Sequence, residues 1–333
     1  MNIIDFSLIN ICANKKVWIQ THNFPDPDAI ASAYGLQNLL QNFDIDSKIC
    51  FEGQIDKLSA KKLVDLCNIK LYSHEEIDEE LQEDDVIILV DCQKDTGNTT
   101  DFVGKELAVI DHHPITNDTQ YLYDDRRIVG ACSSLIAEYF QRYDVQMNSN
   151  VATALLYGIK MDTLQFSRGV TNVDIKMFAF LHQFIDKKKL HQLESNNIEF
   201  NDLKAYGAAI NNIVIYGKVG FSYVDFSCSD ALVAILSDFI LSLSEVDVAV
   251  IWTYRERGFK FSVRSERDHV PAGKLTNDAL KLWGSGGGHA TMAGGFVNIN
   301  AFNITETKEA INHQIVDRFI DIFKLDYPDL LEE

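Results

Sequence analysis

The sequence predicts an α/β protein: an N-terminal doubly wound parallel sheet followed by a smaller C-terminal α/β domain. Two uninterrupted apolar runs, Val86-Ile87-Ile88-Leu89-Val90 and Leu107-Ala108-Val109-Ile110, read as strands covered on both faces. Short β-rich runs alternate with helical stretches over the first 185 residues, the pattern that builds parallel sheets. At 333 residues the chain exceeds one ordinary core, so two domains are expected.

Val17 to Gln20 reads as the first strand, ending in an acidic loop. Ala29 to Leu40 follows as a helix with Ala29, Ala33, Leu36 and Leu40 on one face. Lys48 to Phe51 is a short strand, and further helices are expected from near Ser133 and Val151. The polar stretch from Asp186 to Lys204 reads as a connecting helix or linker, with Lys187-Lys188-Lys189 as a solvated face. The expected boundaries are 1–190 for the first domain, 191–205 for the linker and 206–333 for the second domain. In the latter, Val246 to Arg255 and Phe259 to Arg264 form a hairpin around Arg257-Gly258. Ala231 to Leu243 and Glu309 to Leu325 are helical, with Ile311, Ile315, Phe319 and Ile322 as a core stripe.

Composition narrows the function. An apolar content of 46% fits a globular chain. A net charge of −19 argues against tight, sequence-independent binding of long nucleic acid, which needs a basic track, although a small anionic substrate is still compatible through bound metal and local arginines. The six cysteines have no C-x-x-C spacing and suit reduced thiols. No signal peptide or apolar window of about 18 residues is read, so a cytoplasmic, non-membrane protein is expected.

Four clusters carry the chemistry: His22-Asn23-Phe24-Pro25-Asp26-Pro27-Asp28, Val90-Asp91-Cys92, Asp111-His112-His113 and Met161-Asp162-Thr163. Each follows an apolar run, and three stand where strands of a parallel sheet end, the usual ligand position. Acids packed so closely repel one another, so a divalent cation such as Mn²⁺ is the natural counter-charge. Helix capping explains one acid, Asp28 for instance, more readily than all of them. Asp91 ends a buried strand and is the obvious carboxylate to bridge two ions. In Asp111-His112-His113, one imidazole can bind metal while its neighbour donates to a phosphate oxygen and Asp111 orients a ring. Arg168, after Ser167, is a candidate for reaching substrate. In the second domain, Gly284-Ser285-Gly286-Gly287-Gly288-His289 reads either as an anion-cradling nest or as a flexible hairpin tip. It lacks the lysine of a nucleotide-triphosphate loop. Arg264, at the end of a predicted strand, can hold a phosphate or carboxylate through two hydrogen bonds.

These clusters resemble the DHH phosphoesterase superfamily, whose motif stands here as Asp111-His112-His113. The pair formed by Arg264-Ser265 and Gly286-Gly287-Gly288-His289 is similar to its DHH-associated domain. The resemblance is closest to the nanoRNase (oligoribonuclease) and pAp phosphatase branch. It implies a hydrolase with two Mn²⁺ ions, or Mg²⁺ or Co²⁺ in their place, and an active-site cleft between the domains. By matching motif it implies His22, Asp26, Asp28, Asp91, His112 and Asp162 as metal ligands, with Asp91, His112 and His113 catalytic. His113 would contact the scissile phosphate. Arg264, Ser265, Gly286, Gly287, Gly288 and His289 would bind substrate, while Arg168, outside these motifs, reads either as a further substrate contact or as a surface residue. Pro27 departs from the family, which more often has glycine between the two aspartates. Ala290-Thr291-Met292 also departs.

The expected reaction is hydrolysis of very short RNA, linear dinucleotides such as pGpG or pApA, to mononucleotides, with pAp dephosphorylation beside it and room for a homodimer. An exopolyphosphatase or inorganic pyrophosphatase is the first alternative, and the glycine-rich segment speaks against the pyrophosphatase. A cyclic dinucleotide phosphodiesterase is another, although such proteins commonly add membrane and sensor segments not read here. A non-catalytic nucleotide-binding regulator would be expected to lack some metal ligands.

Overall fold

The structure is a computed structural model that describes residues 7–115, 118–195, 198–302 and 307–332. The chain divides into two compact units, Met1–Asn197 and Ile198–Glu333.

The first unit is built on β1 (Val17–Gln20), β2 (Ser47–Phe51), β3 (Leu71–Ser73), β4 (Val86–Val90), β5 (Lys105–Asp111) and β6 (Tyr123–Arg126). All neighbours are parallel, in the order β3-β2-β1-β4-β5-β6. The chain winds outward from β1 to the edge at β3, then returns to β4 beside β1. That reversal leaves a crevice at the carboxyl ends of β1 and β4, where open α/β sheets bind ligands. Every residue of β1 and β4 is buried, as their apolar composition requires.

Helices cover the two faces unequally. Helices Pro27–Gln41, Leu58–Cys67, Cys132–Tyr143 and Ser149–Asp162 pack on one face through Ile30, Leu36, Leu63, Leu135 and Leu155 against Ile19, Ile88 and Ile110. The opposite face, with Trp18, Ile87, Leu89 and Val109, is closed by Ile77, Leu81 and Phe102. Among the described residues the β4–β5 and β5–β6 connections contain no helix, so the short helix His74–Ile77 and loops cover this face.

Helix Pro27–Gln41 begins earlier than its apolar periodicity implies. Asp26 is its N-cap, with Oδ1 accepting from Asp28 N and Ala29 N, and Pro27 takes the first helical position. There its fixed φ is suited to the helix and its missing N–H costs no bond. The acidic loop is therefore also a helix start. Helix Lys187–Glu194 lies within the first unit, with Leu193 buried. Of the lysines read as a solvated face, Lys189 instead donates to Leu66 O and Asn150 Oδ1.

The second unit contains β7 (Val214–Tyr216), β8 (Val219–Val224), β9 (Val248–Arg255), β10 (Gly258–Ser265), β11 (Gly284–Gly288) and β12 (Met292–Asn298), in the order β11-β12-β10-β9-β8-β7. Only β8 and β9 pair in parallel. Strands β9 and β10 form the expected hairpin, turning at Glu256-Arg257 with Gly258 at φ 156°. Helices Leu203–Asn211 and Asp230–Leu241 pack on one face, while Ala272–Leu280 and Lys308–Asp326 pack on the other. The stripe of Ile311, Ile315, Phe319 and Ile322 is buried there with Phe221 and Phe261. Among the described residues no helix is long and apolar enough to cross a membrane.

Candidate metal centre

The chain ends of β1, β4 and β5 and the end of helix Ser149–Asp162 bring the six expected metal ligands together. Three overlapping groups have ligand atoms within 4.8 Å of one another: His22, Asp26 and Asp91; Asp91, His112 and His113; Asp28, His112 and Asp162. Asp91 and His112 each belong to two of them. Asp91 stands immediately beyond β4 at the switch point, with φ 60°. A left-handed aspartate is sparsely populated, and such strain is characteristic of functional positions. Its side chain is 4% exposed, and Oδ1 is buried without a hydrogen-bond partner.

The imidazoles are set by their outer nitrogens. His112 Nδ1 lies 3.1 Å from Val129 O and His22 Nδ1 lies 2.9 Å from Asn23 O. A carbonyl only accepts, so both Nδ1 atoms carry the proton and both Nε2 atoms are left to bind. His112 Nε2 sits 3.2 Å from Asp91 Oδ1 and 3.3 Å from Asp162 Oδ2. His22 Nε2 sits 3.8 Å from Asp91 Oδ2 and 3.9 Å from Asp26 Oδ1. Lone pairs thus converge on shared points, which a proton or a cation must occupy. The donor set, four carboxylates and two imidazoles, fits Mn²⁺ or a similar divalent ion.

The protonation pattern has the same cause. Burial, then the charges of Asp91 and Asp162, push Asp28 well above the usual carboxylate range. Burial raises Asp162 to about 6, reinforced by Asp91 and Asp26 against the opposing pull of His112. Burial alone would lower His112, but the adjacent Asp91 carboxylate, with Asp28 and Asp162, holds it well above its ordinary value. Asp26 differs. Burial raises it, yet Lys57, His22 and the N–H groups of Ala29 and Asp28 outweigh that and hold it at about 2.

The local capping role that the sequence reading allowed for Asp28 belongs to Asp26, while Asp28 meets the start of a different helix in addition to its place in the cluster. Its Oδ2 accepts from Cys132 N at 2.7 Å and its Oδ1 from Ser133 N at 3.0 Å, anchoring the start of helix Cys132–Tyr143. Gly158 lets the helix bearing Asp162 lie against it: a Cβ there would be 2.9 Å from Asp28 Oδ1 and 2.3 Å from Ser133 Oγ.

His113 is oriented from behind. Asp111 Oδ1 lies 2.8 Å from His113 Nδ1 and accepts the N–H groups of His112 and His113, while Oδ2 accepts from Gln93 Nε2 at 2.7 Å. Burial would raise Asp111, but His113 and Gln93 hold it below its ordinary value, and the same hydrogen bond raises His113. Gln93 was not anticipated, because a single glutamine after Cys92 matches no ligand pattern. Beyond Asp162 the chain passes through Leu164, Gln165 and Phe166 at positive φ. It returns Arg168, whose Nη2 donates to Asp162 O at 3.2 Å.

The expected substrate residues of the second unit lie on β10, β11 and the turn that follows. Arg264 gives Nε to Asp238 Oδ1 at 2.5 Å and Nη1 to Ser262 Oγ and Val263 O. Ser265 Oγ accepts from Arg267 N. The glycine-rich segment is a strand rather than a nest: Gly286, Gly287 and Gly288 pair with Gly295, Gly294 and Ala293. Close packing explains part of its composition. A Cβ on Gly286 would meet Thr276 Cγ2 at 2.7 Å, so helix Ala272–Leu280 rests directly on the strand. Gly287 faces open space and lies in one cross-strand row with Gly294 and Ser262. His289 sits in the turn, with its N–H donating to Met292 O.

Residues 16–159 match the DHH family, N-terminal domain, and residues 216–317 match the DHHA1 domain. The uncharacterized protein MJ1633 of Methanocaldococcus jannaschii is 32% identical over 88% of this chain and 60% of its own length, so the chain spans well under the whole of that relative. The cyclic-di-AMP phosphodiesterase GdpP of Bacillus subtilis is 25% identical over 93% of this chain and 49% of GdpP. A probable manganese-dependent inorganic pyrophosphatase of Bacillus cereus is 24% identical over 93% of this chain and 99% of its own. In fold, the chain is similar to an exopolyphosphatase-related protein from Bacteroides fragilis, with a TM-score of 0.77 at 22% identity over the full length of both. With both domain matches in place and the motif acids and histidines gathered at one switch point, the chain belongs to the DHH superfamily of phosphoesterases.

Proposed function

We propose that this chain is a manganese-dependent phosphodiesterase that hydrolyses very short RNA, linear dinucleotides such as pGpG or pApA, to mononucleotides, and that it also removes phosphate from pAp. The observation that carries this reading is Asp91, a buried carboxylate with an unpartnered oxygen shared between two sets of ligand atoms. Asp91 groups with His22 and Asp26 on one side and with His112 on the other, and His112 groups in turn with Asp28 and Asp162. This linked set supports two ions, one near His22 and Asp26 and one near Asp28, His112 and Asp162. When bound, such ions supply Lewis acidity to the phosphoryl oxygens and to the attacking water.

The protein's own groups do the rest. Asp26, held ionised by Lys57 and the helix N-terminus, offers negative charge without needing to lose a proton. His113, its Nδ1 fixed by Asp111 and its affinity for a proton raised, presents Nε2 as a donor to a non-bridging phosphate oxygen. Arg168, tethered beside Asp162, adds positive charge near the reacting phosphate. Arg264, Ser265 and the Gly286 to His289 segment hold the terminal phosphate or nucleotide. Arg264 would exchange Asp238 for phosphate, and open Gly287 permits close approach of a ligand to the backbone.

A product-resolved panel in Mn²⁺ tests the reading: diribonucleotides, longer oligomers, cyclic dinucleotides, pAp and pyrophosphate. Mononucleotide release fastest from diribonucleotides is expected. Turnover confined to pyrophosphate, or to cyclic dinucleotides, would overturn it.

A further inference from the structure

Phe24 lies two residues from both His22 and Asp26, so its Cα is within about 7 Å of each by chain reach. It is 58% exposed and has φ 55°. A bulky residue in the left-handed region is a genuine outlier, kept only where the surroundings over-determine it. Those surroundings are specific. Asn23 N donates to Asn98 O at 2.7 Å, and Phe24 N donates to Glu52 O at 2.9 Å. The Asn23 side chain is bonded in both directions to Thr100. At position 53 a glycine makes room for the ring: a Cβ there would fall 2.7 Å from Cε1, 2.8 Å from Cδ1 and 2.9 Å from Cζ.

One side of the ring is therefore backed by Gly53, while more than half of the residue faces solvent beside the phosphate-handling cluster. Burial would stabilise a phenylalanine, and exposing one on strained backbone gives folding no benefit. We propose that Phe24 is a stacking platform for a nucleobase of the substrate whose phosphate lies at the metal centre, which makes it a specificity-determining residue. The inference rests on the nucleotide reading given above. Stacking requires only a π-face and so tolerates any base. It favours nucleotides over inorganic phosphates at a site whose other groups recognise phosphate alone.

The test compares kcat/KM for a diribonucleotide and for its abasic analogue, in Mn²⁺, for the wild type, Phe24→Ala, Phe24→Leu and Phe24→Trp. The preference for the base-bearing substrate should fall about 5- to 150-fold in the alanine and leucine variants and persist in the tryptophan variant. Leucine keeps apolar bulk against Gly53, so it guards against a folding defect in the alanine variant. A wild-type enzyme that turns over the dinucleotide, with the preference unchanged in Phe24→Leu, overturns this inference alone. A wild-type enzyme inert toward dinucleotides overturns both it and the function proposed above.

Discussion

In the first unit, Asp91 is 4% exposed and its buried Oδ1 has no hydrogen-bond partner. In the second, the Arg264 side chain is 12% exposed, yet its guanidinium is bonded to Asp238, Ser262 and Val263. Both were singled out as functional, but the physical situations differ. The cluster around Asp91 is electrostatically incomplete: burial and neighbouring acids push Asp28 and Asp162 above the usual carboxylate range, and the Nε2 atoms of His22 and His112 face carboxylates. A buried charge without a partner is costly, so the fold itself calls for a cation. The residues around Arg264 are satisfied internally, and a ligand there must displace existing bonds. Unmet polar demand therefore locates a site more sharply than residue type does.

Mutation of the two residues should break the symmetry between them. Asp91→Ala removes the shared ligand and should reduce hydrolysis to the uncatalysed background while circular dichroism stays native. Arg264→Ala should leave turnover at saturation largely intact and raise KM about 10- to 100-fold, the range for a charge-assisted hydrogen bond. Steady-state kinetics on a diribonucleotide distinguish the two. Equal effects on kcat would erase the contrast between the units.

A smaller effect should follow from Asp111→Asn, because Asp111 acts through His113. Loss of an outer-shell carboxylate typically costs about 10- to 100-fold. Donating a hydrogen bond to Asp111 raises the folded-state affinity of His113 for a proton, so the variant's imidazole deprotonates at lower pH. If protonated His113 donates to the phosphate, the alkaline limb of the pH–rate profile must move to lower pH. A profile reduced in height without that displacement would remove His113 from the donor role.

Much of the first unit was legible because β4 and the core of β5 are continuous apolar runs with candidate ligands directly after them. By contrast β3 and β6, Leu71–Ser73 and Tyr123–Arg126, are short and largely polar and were not read. Val86 to Val90 followed by Asp91 gave strand and site together. The uneven covering of the sheet was not legible, since the covering loops have no periodicity. Asp28 shows why one reading need not exclude another: the same carboxylate caps helix Cys132–Tyr143 and belongs to the cluster. The strand at Gly284 to Gly288 was hidden because glycine carries no strand preference. What makes it a strand is pairing with β12 and the close approach of Thr276, both tertiary. Gln93 and Gly53 act through contacts distant in sequence, and local pattern does not register those.

The Asp91 cluster should take up divalent cations in exchange for protons. Without metal, Asp162 holds its proton up to about pH 6 and His112 well above its ordinary range. Both raised affinities stabilise the metal-free fold at low pH, and that contribution fades as pH rises through the folded-state values. Cations should therefore bind more tightly, and stabilise the protein more, as pH rises above 6. The direct measurement is calorimetric titration of metal-free protein with Mn²⁺ between pH 5.5 and 8, in buffers of different ionisation enthalpy. Saturable binding that releases protons, tightens with pH and is lost in Asp91→Ala is the predicted result. Absence of binding, or binding indifferent to both pH and Asp91, would contradict the account.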